Sequence, residues 1–134
     1  LLILADLVVF PILPSILDMR SLQTVAEMLN DVRSINNGHP EAVLVLNGID
    51  KRTVMGREIY QVAPTLGLKV ARNSIRRLAA FSEAPVQQSV VGRMGFRARS
   101  AKTDIDKLFS ELLGSRQDFK RTSGNLTREG AGNE

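Results

Sequence analysis

Apolar residues along this chain fall into two alternating rhythms. Leu7-Val8-Val9-Phe10-Pro11-Ile12 and Ala42-Val43-Leu44-Val45-Leu46 are apolar at odd and even positions alike. That is the pattern of strands buried on both faces of a parallel sheet. Between them Leu22, Val25, Leu29 and Val32 recur three and four residues apart, the stripe of a helix lying on that sheet. Ser15 and Asp18 are both candidate caps for it, and Asn36-Asn37-Gly38-His39-Pro40 is a turn that ends it. A second helix is expected from about Thr53, with Met55, Ile59 and Val62 inward and Pro64 ending or kinking it at Ala63. Leu68-Lys69-Val70 then opens a short third strand.

Beyond Asn73 the pattern is irregular. Ile75 to Pro85 is expected to be a loop leading into one helical turn that Pro85 stops. Ser100 to Leu113 is an amphipathic helix with Ile105, Leu108, Phe109 and Leu112 on its inner face and Ser100 as its cap. From Gly114 apolar residues almost vanish, and residues 114–134 are expected to form a disordered polar tail. Strand, helix, strand, helix, strand is the order of a doubly wound parallel α/β sheet with flanking helices.

Composition narrows the chemistry. The chain has 134 residues, one domain's worth at most. It has no cysteine, which excludes a disulfide framework and thiolate metal sites and fits a reducing cytoplasm. His39 is the single histidine and lies in a turn, so a histidine-dependent triad or multi-histidine metal site lacks parts. The opening Leu1–Leu4 run is cut at Asp6, well short of the roughly 18 apolar residues a membrane span needs. The polar, Gly-rich tail also disfavours an amphipathic anchor, so no membrane partner is expected. Charge is uneven. Residues 1–50 hold 2 Lys/Arg against 6 Asp/Glu, and residues 51–134 hold 16 against 8. Such asymmetry fits either an anionic partner for the later part, nucleic acid being the simplest, or a solvated basic surface.

The run Ala5-Asp6-Leu7-Val8-Val9-Phe10-Pro11-Ile12-Leu13-Pro14-Ser15-Ile16-Leu17-Asp18 carries a family resemblance. A buried strand passing into a Pro-x-x-Pro-Ser-x-Leu-Asp loop and a helix start resembles the ParA/MinD-type deviant-Walker P-loop ATPases. The small plasmid-partition branch is the most similar. Ile16 stands where the commoner Pro-Ser-Pro-Leu-Asp form has its second proline, which loosens the loop. No Gly-x-x-x-x-Gly-Lys-[Ser/Thr] occurs in the chain, so the loop that cradles ATP phosphates is absent from it. The resemblance covers residues 1–113 and implies the C-terminal part of a P-loop NTPase-like sheet, with the N-terminal part expected upstream of Leu1.

Three segments leave strand ends and are expected on one rim, where parallel sheets place ligands. Pro11 and Pro14 stiffen the first and, by the resemblance, approach nucleotide and facing subunit. Asn47 and Asp50 in the second resemble the family's base-side motif, an amide that suits a purine edge; they equally fit an ordinary strand-to-loop turn. In the third, Arg76, Phe81 and Glu83 resemble residues lining the nucleotide edge. A blander arrangement puts Phe81 in the core and Glu83 on Arg77. Arg93, Arg97, Arg99 and Lys102 match the C-terminal basic residues through which family members bind DNA without sequence preference. No recognition-helix or zinc-finger pattern is present.

What the resemblance implies is a homodimeric DNA-segregation ATPase of the bacterial cytoplasm, associated with the nucleoid. It binds ATP and Mg²⁺, coats DNA and is released when a partner protein stimulates hydrolysis. No catalytic residue is assigned here. The chain alone is expected to be inactive and to bind no cofactor tightly, because phosphate handling needs the missing loop. The alternatives are a stand-alone P-loop-less DNA-binding or scaffold module, and a metabolic relative of the same architecture.

Overall fold

In the computed structural model, residues 2–50 and 54–126 are described, without the side chains of Met55 and of 115–126. β1 (Leu7–Ile12), α1 (Ile16–Ile35), β2 (Glu41–Leu46), α2 (Val54–Thr65), β3 (Lys69–Val70), α3 (Ala79–Val86) and α4 (Arg99–Leu126) follow in chain order. Three 3-10 turns, Leu2–Leu4, Val91–Arg93 and Gly95–Ala98, complete them. The strands form a parallel sheet in the order β1-β2-β3, with Leu7 opposite Glu41 and Ile12 opposite Leu46. The expected parallel α/β architecture is present as this small three-stranded sheet with flanking helices.

Helices cover both faces. Leu22, Ala26 and Leu29 of α1 and Ile59 and Ala63 of α2 pack with Ile12, Ala42, Leu44 and Leu46 on one side. On the other, Ile105, Leu108 and Leu112 of α4 cover Val43, Val45, Ala71 and Ile75. Alternation along β2 therefore sends even positions to one helix layer and odd positions to the other, which is why the run is apolar throughout. At the two ends of β1 the carbonyls of Asp6, just before it, and Ile12 accept from the N–H groups of Glu41 and Asn47 on the β2 side. Even residues thus carry the ladder, and the missing N–H of Pro11 falls on the outer edge, where it breaks no bond.

Several boundaries depart from the sequence reading. Pro64 sits inside the last turn of α2, and Leu66, Gly67 and Leu68 bond back to Ala63 and Pro64. Gly67, at φ +73°, provides the left-handed residue that closes the helix. Pro85 likewise lies inside α3, which has 8 residues. In both cases proline in a final turn removes one bond without stopping the helix. Ser100 is not a cap, because the Gly95–Ala98 turn winds directly into α4 at Arg99. Phe109 is 55% exposed and belongs to the outer face. The inner arc is taken by Ala101, Asp104, Ile105, Leu108 and Glu111, leaving Phe109 at its flank. The backbone of α4 also continues past Leu113 to Leu126, with Gly114 inside it. The tail expected from 114 is helical to that point; residues 127–134 lie outside the described residues.

Candidate functional site: the strand-end rim and the basic turns

Ser15 caps α1. Its Oγ accepts from the Asp18 N–H at 3.1 Å and donates to Asp18 Oδ2 at 2.9 Å, so the loop that ends at Ser15 satisfies one of the donors that the helix start leaves open. This loop lies against the one leaving β2. Gly48 has φ +66°, so the backbone angle favours glycine, and a Cβ there would stand in ordinary contact 3.4 Å from Leu13 Cδ2. Asn47 is exposed beside it, with its N–H held by the Ile12 carbonyl at 2.8 Å. Pro14 is half-buried, and Pro11 and Asp50 are exposed.

The segment after β3 completes the rim by pairing with the extension of β2. Ile75 N–H donates to Leu46, Ile49 N–H to Ile75, and Arg77 N–H to Ile49, at 2.8, 3.0 and 3.1 Å. Gly56 lets α2 close on this junction, since a Cβ on it would meet Ile49 Cδ1 at 2.9 Å. The strand-end segments of Pro11–Ser15, Asn47–Asp50 and Ile75–Arg77 therefore stand together, as parallel winding requires.

Two carboxylates of α4 fix that last segment. Asp104, 8% exposed, accepts from the Arg76 N–H at 3.1 Å and from Arg76 Nε and Nη2 at 2.9 and 2.8 Å. Arg76 Nη2 also reaches the Ser100 carbonyl at 3.3 Å. Hydrogen bonds donated to Asp104, and then its charge, push the guanidinium pKa above its ordinary value. Seven residues on, Glu111 accepts from the N–H groups of Arg72 and Asn73 at 2.8 and 2.9 Å and from Asn73 Nδ2 at 2.8 Å. Partial burial is the largest single influence on its carboxyl and raises it. The bonds from Arg72 and Asn73, with the Arg72 charge, outweigh burial and hold it below the usual glutamate range. Tyr60 joins this junction from α2, its hydroxyl donating to the Ala71 carbonyl at 3.0 Å. Burial, then the Glu111 charge, raises the phenol.

Of the sequence-predicted residues, Pro11, Pro14, Asn47 and Asp50 lie on the rim. Arg76 reaches it by its backbone, but its guanidinium turns to Asp104. Phe81 packs between the α4–sheet cluster and a second cluster of Ala80, Ala98 and Ala101. Glu83 is exposed and forms no ion pair with Arg77. It shares a depression of about 260 Å³ with Arg97, Ser100 and Ala101 instead. Arg93, Arg97, Arg99 and Lys102 are all exposed, and Lys102 is paired with Asp106 on its own helix. Asp104 and Glu111 are the residues sequence reasoning missed as partners of this region. Their signal was present: two carboxylates on the apolar stripe of α4, each in need of a donor.

Among the described residues no group of His, Cys, Asp and Glu is arranged to hold a metal ion. No helix among them is long and apolar enough to cross a membrane. No protein-family model matches the chain. It is 34% identical over 115 residues to the Maintenance of carboxysome distribution protein A of Halothiobacillus neapolitanus. The alignment covers 86% of this chain and 53% of that protein, so the chain spans about half the length of the curated relative it matches.

Proposed function

We propose that this chain is the C-terminal portion of a ParA/MinD-type partition ATPase, whose task is the spatial distribution of an intracellular cargo. The observation that carries this reading is the similarity over 115 residues to a protein named for maintaining carboxysome distribution. The Pro-x-x-Pro-Ser-x-Leu-Asp loop points independently to proteins that partition plasmids or chromosomes. Distribution of a large cargo is common to both.

Under this reading the rim is the base side of a nucleotide site. Asn47 offers donor and acceptor to a purine edge, and the stiff Pro11–Pro14 loop stands beside it facing nucleotide and a second subunit. Arg76 and Phe81 act as supports: one ties the rim to α4, the other fills the space beneath. Glu83, in the depression with Arg97, belongs to the α3–α4 side. Among the described residues no group of His, Cys, Asp and Glu fits Mg²⁺, and the sequence holds no Gly-x-x-x-x-Gly-Lys-[Ser/Thr] loop for the ATP phosphates. Those tasks fall to the rest of the protein. Arg93, Arg97, Arg99 and Lys102 form the surface for non-specific DNA binding, and a partner protein stimulates hydrolysis to release it.

The test begins with the coding sequence upstream of Leu1. An in-frame Lys-Gly-Gly-x-Gly-Lys-[Ser/Thr] is expected, and the protein expressed from the complete gene should be retained on duplex DNA more strongly with ATP than with ADP. Salt-sensitive DNA binding indifferent to nucleotide would establish the stand-alone module instead.

A further inference from the structure

Between Glu83 and Asp104 the chain has no acidic residue, and its cations there are Arg93, Arg97, Arg99 and Lys102. Two 3-10 turns, Val91–Arg93 and Gly95–Ala98, shape this stretch. Their inner side is anchored. Ala98 is 1% exposed, and Val91 and Met94 pack against the cluster formed with Ala80 and Ala101. With 91, 94 and 98 inward, the positions between them face out. Phe96 is one of these, at 85% exposure the most exposed phenylalanine among the described residues. Arg93, Arg97 and Arg99 surround it in sequence and are exposed, and none forms a salt bridge among the described residues.

A lone exposed apolar side chain is ordinary on a protein surface. Phe96 differs in its setting: an aromatic ring on an anchored turn, flanked in sequence by three arginines, with Glu83 the one carboxylate lining the depression beside Arg97. A second copy of this surface would be repelled by the same charge. An anionic membrane would receive Phe96 with only the small side chains of Val86 and Val90 exposed in the same stretch, because Val91 and Met94 are turned inward, whereas stable insertion needs a broad apolar face. Nucleic acid satisfies both halves of the surface, with phosphates for the arginines and the flat face of a base for the ring.

We propose that Phe96 stacks on a nucleobase while Arg93, Arg97 and Arg99 hold the flanking phosphates. The site takes the π face of a base, exposed in a single strand or opened at a duplex step. This rests on reading the basic surface as a DNA contact, and adds to it an uncharged residue whose effect differs in kind. Because the turn is fixed from within, the backbone that carries the ring is held in place before it binds.

The protein expressed from its complete gene is titrated with oligothymidylate and with a duplex of equal length over a range of salt. Phe96→Ala should weaken binding at least about fivefold, the low end of a single base-stacking contact, and leave the slope of log K against log salt unchanged. Arg97→Ala should lower that slope by about 0.7 on a single strand or 0.9 on a duplex, as one phosphate contact is lost. A larger Phe96→Ala effect on oligothymidylate identifies single strands as the source of the base, and a larger one on the duplex identifies an opened step. The chain contains no tryptophan, so Phe96→Trp places one indole in these 134 residues. Its emission, taken as a difference from the parent protein, should be quenched by either DNA and unaffected by vesicles of anionic lipid. If Arg97→Ala weakens binding and Phe96→Ala does not, stacking is overturned and the DNA contact stands. If neither matters, the DNA reading of this surface falls with it. A blue shift with vesicles and no quenching by DNA would assign the ring to a membrane.

Discussion

Asp104 is the one charged residue among the described buried ones. A carboxylate removed from water is tolerated where several donors meet it, and Arg76 supplies three, one of them its backbone N–H. The two ends of this pair are not equivalent. Asp104→Ala leaves a backbone donor and a guanidinium without their acceptor, whereas Arg76→Ala leaves the carboxylate still bonded to the N–H of residue 76. Asp104→Ala is therefore expected to destabilise the protein by about 2 kcal/mol in urea unfolding, and Arg76→Ala by less. The half-exposed guanidinium is why the figure lies below that of a fully buried pair. The reverse order would mean that charge rather than backbone anchoring dominates. Glu111 adds a pH dependence. Its folded carboxyl is held below the ordinary glutamate value, so its contribution is complete above about pH 4.3 and is lost as pH falls through the folded value. Glu111→Gln should be less stable than the parent at pH 7, and the gap should close as unfolding is measured at progressively lower pH. A gap that stays constant to pH 3 would show that Glu111 acts by shape rather than by charge.

At the scale of elements, the parts set by local pattern were legible and those set by distant partners were not. β1, β2 and the α1 stripe follow from apolar periodicity alone, and Leu22 and Leu29 are both fully buried as the spacing requires. The convergence of three segments on one rim was also readable, because parallel winding puts successive strand ends together. The short β3 was readable at Leu68–Val70, but the course of the chain from Arg72 to Arg76 was not, since Glu111 and Asp104, 28 to 39 residues away in sequence, hold that backbone. The destination of Arg76 was hidden for the same reason. Capping is the element-level feature most open to test. Ser15 or Asp18 could each have begun α1, and the geometry gives Ser15 the cap with Asp18 in the third helical position. Ser15→Ala should lower stability by about 1 kcal/mol in urea unfolding, and Ser15→Asn should restore most of it, because either side-chain oxygen can accept the orphan N–H. Equal losses from both would mean that the Ser15–Asp18 hydroxyl bond, which asparagine cannot reproduce, matters more than the cap itself.

At the scale of the whole molecule, the α4 layer falls wholly within the basic part of the chain, whereas the opposite layer draws on both parts. Net charge is −4 over residues 1–50 and +8 over 51–134, and α4 with the turns before it lies in the basic part. Two carboxylates that would dilute this basic part are already committed, Asp104 to Arg76 and Asp106 to Lys102. What remains outward on the turns and at the start of α4 is Arg93, Arg97 and Arg99. Their potential is felt over roughly 10 Å at 0.1 M salt, so an approaching polyanion meets the group rather than one residue. If the three are the DNA contact, each neutralises about one phosphate and releases its counterion. Replacing all three by alanine should therefore reduce the salt slope for duplex binding by about 2.7, and the loss of affinity should be greatest at low salt, shrinking as salt rises. The melting temperature should stay near that of the parent, because all three side chains are exposed. A fall in affinity with the slope unchanged would place the ionic contacts elsewhere and leave these arginines an indirect role. An unchanged affinity at every salt concentration would return the basic half to a solvated surface, the other meaning its composition allows.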